Sequence, residues 1–302
     1  MTVLFNVILP VILIAGLAAL VQRTLRLDIR TISRAAFYLF SPALVFDSLS
    51  SSRIGGQEFA AIAAVFLAVT AVLWAGGEIA SRMLRLEGPT RSAFLLSVLL
   101  MNAGNYGLPV TLFAFGEEGL ARASIYFTFS AALTASLGVY LAARGRAPAR
   151  VALRRVAGVP LVYASLLGLA LSLTGVALPE PLAKATHLLG QASVPVMLVT
   201  LGIQLADTFH ARPDSVHLPA LATTVAARLL LAPALALAAS WLLGVSGLTQ
   251  SVVVVESAMP TAVMAVILAS EFDCDTQFVT LAIFVSTVAS LVTLTMLLNW
   301  LT

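Results

Sequence analysis

Charge is scarce in this 302-residue chain: 10% of its residues are charged, 60% are hydrophobic, and mean hydropathy is +1.01. A soluble domain carries roughly 25% charged residues, so an ordinary water-facing surface is excluded. The single cysteine, Cys274, excludes an intramolecular disulfide framework. No Lys or Arg precedes Arg23, whereas a secretory signal places its positive charge first, so residues 3–21 are expected to be a retained span. Catalytic signatures are missing as well. There is no HExxH, no G-x-S-x-G, no phosphate loop and no paired Asp motif on adjacent spans, so no enzyme is expected.

What the chain has instead is a succession of apolar runs of about twenty residues, the length that crosses a bilayer core of about 30 Å. Charge, Gly and Pro clusters divide them into ten expected spans: 3–21, 31–49, 58–80, 91–115, 119–141, 158–176, 182–205, 217–243, 248–270 and 277–300. These runs are too long and too continuous for the alternating ten-residue strands of a barrel. The expected fold is therefore all-α and integral to the membrane.

Net charge is +3 and pI about 9.4, but the basic residues sit in short loops, which reads as an orientation signal rather than a nucleic-acid surface. Alternate connections carry Lys and Arg twelve to three, the richer set including Arg23, Arg82, Arg144, Arg146, Arg155 and Arg212. The positive-inside rule then places both termini away from the cytoplasm of a multi-pass protein in the inner or plasma membrane.

Three intraspan prolines recur in the second half at nearly constant offset: Pro10 with Pro160, Pro42 with Pro195, and Pro109 with Pro260. Their settings are also alike, SPALVF beside SVPVMLV. Two five-helix repeats follow, 1–145 and 158–302, joined by a basic cytoplasmic loop at 146–157. An odd number of spans per half inverts the second copy, an arrangement typical of secondary transporters.

Span four carries Asn102-Ala-Gly104-Asn105-Tyr-Gly107-Leu-Pro109, and span nine carries Glu256-Ser-Ala-Met259-Pro260-Thr261. Gly and Pro disfavour continuous helix, and in lipid each freed backbone group costs several kcal/mol unless protein or a water-filled cavity satisfies it. Broken helices at corresponding positions point to a binding site near the midplane, where half-helix N-termini attract anions. Asn102, Gly104, Asn105, Gly107, Pro109, Met259, Pro260 and Thr261 are the expected substrate-binding residues.

NAGNYGLPV and AMPTAVMAVILASEF, with SPALVF in span two and RLLLAP in span eight, resemble the auxin efflux carrier family over nearly the whole chain. The resemblance implies ten spans with crossed, broken helices 4 and 9, a fold shared with bile acid/sodium symporters. It also implies a scaffold of spans 1, 2, 6 and 7 and a mobile transport unit of spans 3–5 and 8–10. Plant members often carry a long loop between the halves, whereas 142–157 is too short to fold alone, which argues against auxin as substrate.

Two ionisable residues lie deep within spans. Glu256, four residues before Pro260, would bind Na⁺, carry a proton or pair with an Arg. A Glu that resembles it binds sodium in the bile acid symporters. Ser124 and Thr128 form an i, i+4 hydroxyl pair, and with Asn105 and Glu256 they supply the several oxygens a hard cation wants. Arg228 is read either as the counter-charge of an anionic substrate or as an ion-pair partner of Glu256, Glu78 or Asp47. Asp47 is expected at an interface and Glu78 near Arg82. His187 is expected to be a hydrogen-bonded packing residue, and His210 and His217 to lie in or beside a polar loop.

The expected function is a secondary carrier moving a small organic anion by alternating access, with coupling to Na⁺, H⁺ or neither left open. A dicarboxylate such as malonate is suggested by the resemblance alone. A channel-like facilitator or a transport-like sensor is the alternative. No cofactor is expected beyond a coupling ion, and the partners are the substrate and the bilayer, with a homodimer left open.

Overall fold

The computed structural model describes residues 3–143, 149–208 and 217–302, and these are helical apart from turns and one isolated backbone bridge. Arg144, Arg146, His210 and Arg212, read as loop residues, lie outside the described residues. In chain order the helices are α1 Leu4–Leu25, α2 29–50, α3 Gly56–Met83, α4 Gly88–Leu99, α5 103–115 and α6 117–142. They continue with α7 Ala149–Ala157, α8 Pro160–Thr174, α9 Glu180–Thr208, α10 Leu218–Leu242, α11 Gly247–Ser257, α12 Met264–Glu271 and α13 Thr276–Leu301. Among the described residues six stretches are long and apolar enough to cross a membrane: α1, α3, α5 with α6, α9, α10 and α13. The division of α5 from α6 falls at Gly116, whose φ of 66° and ψ of −162° suit a residue without a Cβ.

Four prolines inside the helices are accommodated by a local change of helix type. Leu4–Ile8, Ala36–Phe40, Ala103–Gly107 and Ala227–Leu231 are wide π turns, each ending two residues before Pro10, Pro42, Pro109 and Pro233. Proline lacks an N–H and its ring crowds the carbonyl four residues back, so a turn closed over five residues relieves both problems. The proline pairs noted in the sequence differ in local backbone. Pro160 opens α8, Pro195 lies inside α9, and Pro260 lies in the gap between α11 and α12.

Small residues set the closest helix contacts. A Cβ on Gly202 of α9 would overlap the Ala15 carbonyl of α1, and one on Gly168 of α8 would lie 3.0 Å from the Phe46 carbonyl of α2. One on Gly190 would lie 3.3 Å from the Leu44 Cα. Backbones can approach this closely only where no side chain intervenes, which maximises dispersion contact between apolar helices. Thus α1, α2, α8 and α9 form one closely packed group.

Polar contacts between connections gather at two ends. At one, Thr90 donates to Asp275 (3.0 Å), Cys274 Sγ to the Ala142 carbonyl (3.5 Å), and Arg155 pairs with Glu271 (2.9 Å). At the other, Arg122 pairs with Glu58 (2.8 Å) and Glu118 (2.9 Å) and donates to Thr249 (3.1 Å), and Ser172 donates to the Ser52 carbonyl (2.7 Å).

Candidate functional site: paired helix breaks beside a cavity

Two gaps in the helices, 100–102 between α4 and α5 and 258–263 between α11 and α12, meet directly. The Asn102 amide donates to the Pro260 carbonyl and the Ala262 amide to the Leu100 carbonyl, each at 2.8 Å, making an antiparallel bridge between Met101 and Thr261. Each break therefore supplies partners for the other, which removes part of the cost of unpaired backbone away from water. The Thr261 hydroxyl donates to the Ser97 carbonyl (2.9 Å), and its amide donates to the Ser286 hydroxyl (3.2 Å).

Arg228, from the π turn of α10, is fully buried and gives its guanidinium to backbone oxygens. It reaches Ser257 O at 2.7 Å, Met259 O at 3.0 and 3.2 Å, and Val98 O at 3.3 Å. The Val98 and Ser257 carbonyls belong to the C-terminal ends of α4 and α11, where the helix dipoles are negative, and Met259 follows two residues after α11. Of the ion-pair partners expected from the sequence, Glu78 pairs with Arg91 and Asp47 with His187 (2.9 Å). Among the described residues Glu256 makes no ion pair with Arg228. Arg228 is a cationic cap shared by two helix ends.

The N-terminal ends of the following half-helices, α5 and α12, border a cavity of about 460 Å³, within the size range of small-molecule sites. Asn102, Gly104 and Asn105 line it from the first break and Ala262, Val263 and Met264 from the second. Opposite them stand Ser33, Phe37 and Ser41 of α2 and Gln204 of α9. Arg155 and Gly158 mark its exposed edge. Asn105 Nδ2 donates to Gln204 Oε1 at 3.5 Å, across to the group formed by α1, α2, α8 and α9. At the start of α12 the Ala265 and Val266 amides donate to the Ala262 (3.0 Å) and Val263 (3.1 Å) carbonyls, and both helix ends carry positive dipole ends.

Of the residues expected to bind substrate, Asn102, Gly104 and Asn105 line this cavity. Gly107, Pro109, Met259, Pro260 and Thr261 are buried in the crossing itself. Gly104 is close to the Phe127 ring, a Cβ there lying 2.6 Å from its edge. Sequence reasoning missed Gln204 and Thr111. Both are uncharged polar residues in apolar helices, outside the two break motifs and the Ser124–Thr128 pair, and nothing local marks them.

The four residues expected to hold a cation make separate sets of contacts. Glu256 is fully buried: Oε1 accepts from the Thr111 hydroxyl (2.9 Å), and its carboxyl fills the place a Gly107 side chain would take. Glu256 Oε2 and Ser124 Oγ are buried without a hydrogen-bond partner among the described residues. The Thr128 hydroxyl donates to the Ser124 carbonyl (2.8 Å), whereas Asn105 faces the cavity. Among the described residues no three His, Cys, Asp or Glu cluster as a metal site. His187 also contacts Gln191 (2.9 Å), and His217 accepts the Ala220 amide at the start of α10 (3.3 Å).

A family model described as membrane transport protein matches residues 3–151 and 142–298. An uncharacterized transporter of Methanothermobacter thermautotrophicus is 33% identical over 275 residues, covering 88% of this chain and 87% of the relative. Another, from Methanocaldococcus jannaschii, is 29% identical over 269 residues, covering 87% and 86%.

Proposed function

The chain belongs to the auxin efflux carrier family of membrane transport proteins, and on that premise we propose that it is a secondary carrier for a small organic anion. The observation that carries the reading is the polarity of the crossing. Arg228 occupies the negative ends of α4 and α11, so the positive ends of α5 and α12 are left for a ligand at the cavity. A carboxylate accepts from N–H groups, and the Asn102 and Asn105 amides add donors at the same wall. The cavity volume suits a mono- or dicarboxylate.

Ten crossings as two inverted five-helix repeats account for the helix order, with α4–α5 and α11–α12 as broken spans 4 and 9. The gathering of connections at two ends supports this count. The closely packed α1, α2, α8 and α9 correspond to the scaffold, and α3–α6 with α10–α13 to the unit that carries the crossing between membrane faces. The cavity reaches the end bearing Arg155, which the excess of positive charge assigns to the cytoplasm, with both termini opposite.

Coupling belongs to Glu256. Its unpartnered Oε2 and the unpartnered Ser124 hydroxyl are the oxygens available to Na⁺ or to a proton. The test is a thermal-shift screen of mono- and dicarboxylates with and without Na⁺, followed by proteoliposome uptake. We expect stabilisation by at least one acid, sodium dependence erased by Glu256→Gln if Na⁺ is the coupling ion, and no uptake by Asn105→Ala. Wild-type uptake by Asn105→Ala would overturn the site assignment.

A further inference from the structure

A second cavity, of about 280 Å³, lies between α1, α9 and α13, with Tyr106 of the turn after the first break in its lining. One wall is α1, from Val11 through Gly16 to Arg23, and the other includes Leu201 of α9 and Val288 of α13. Ile12, Leu20 and Val288 are exposed along it. Val11 to Arg23 spans twelve helical rises, about 18 Å, close to the depth of one leaflet of a ~30 Å core. The lining is apolar apart from Thr287 and Tyr106 and ends at one cation, Arg23, which makes no ion pair among the described residues.

We propose that this trough holds one acyl chain of an anionic phospholipid whose phosphate is bound by Arg23. The chemistry is that of an amphiphile: a leaflet-long apolar slot excludes water-soluble anions, and the terminal guanidinium matches a phosphate in both charge and geometry. Arg23 also lies in the arginine-rich set of connections, which face the anionic cytoplasmic leaflet in the orientation argued above. The trough adjoins both Tyr106, in the turn that carries Asn105, and the α1–α9 pair, so the chain sits in the seam between scaffold and carrier unit.

Native mass spectrometry of the detergent-purified full chain, after addition of phosphatidylglycerol or phosphatidylcholine, tests this without reference to transport. The wild type retains one phosphatidylglycerol in preference to phosphatidylcholine. Arg23→Gln lowers that preference about fivefold, as expected for one cation at a lipid phosphate. Gly16→Leu, at a position with open space for a Cβ, blocks the slot and loses both lipids. Val288→Trp, from the opposite wall, does the same should Gly16→Leu fold poorly. Equal retention of the two lipids by the wild type, or undiminished retention by a folded slot-filling variant, overturns the proposal.

Discussion

Buried without a carboxylate partner, Arg228 meets its donors' needs with the carbonyls of Val98, Ser257 and Met259. Hydrogen bonds from a charged donor contribute about 1.5–3 kcal/mol each, and carbonyls left alone away from water are costly. We expect Arg228→Met to lower the thermal midpoint by roughly 5–10 °C, equivalent to about 3 kcal/mol, and Arg228→Lys to fall between the two. A midpoint for the Met variant within about 2 °C of wild type would show that the cap is dispensable. The glycines give a sharper contrast. Gly104→Ala presses on the edge of the Phe127 ring, which Phe127→Leu should relieve, restoring monodisperse protein on size-exclusion chromatography. Gly107→Ala presses on a carboxyl already held by Thr111, and the same Phe127→Leu should not rescue it. Glu256 and Arg228 were legible in the sequence because charge is rare there. Their partners were not, since a lone carbonyl, a glycine or a threonine looks the same in any apolar helix.

Spans four and nine announce their breaks through Asn, Gly and Pro, yet the first gap opens earlier than those residues suggest. The sequence points to 102–109. The gap is 100–102, and helix resumes through Ala103–Gly107 with Pro109 already inside it. A π turn absorbs the proline, as it does before Pro10, Pro42 and Pro233. What fixes the break is tertiary: the bridge to Pro260 and Ala262 and the Thr261 bond to Ser97. Contacts between residues so far apart in the chain, such as Thr261 and Ser97 at a separation of 164, leave no local trace, which explains the misplacement. Pro109→Ala should therefore shift stability by less than about 1 kcal/mol and keep ligand-induced stabilisation. Thr261→Val, which strands the Ser97 carbonyl, should cost about 1–3 kcal/mol and weaken that stabilisation. Thermal-shift titration of both variants with the acid found in the screen checks the order, and equal effects would place the determinant in the proline.

At the scale of the whole molecule, the helix limits agree closely with the apolar runs, as in 29–50 against 31–49 or Thr276–Leu301 against 277–300. Apolar length is a one-dimensional property, and the chain displays it without reference to its neighbours. The direction in which the cavity opens is instead set by how two packed groups meet, and Ser33, Thr134 and Arg155 come together there only in the fold. Alternating access makes a definite demand on that direction. The one native thiol, Cys274, is buried, so Cys274→Ser supplies a thiol-free background with little disturbance expected. In that background Thr134→Cys should react with a membrane-impermeant maleimide in inverted vesicles and not in right-side-out ones, and bound substrate should slow the reaction. A carrier has one access path at a time, so a mutation or ligand that favours the opposite state should reduce cytoplasmic labelling while exposing the crossing to the other face. Rapid labelling of Thr134→Cys from both faces under the same condition would instead mean a continuous pore, and the carrier mechanism would fall with it.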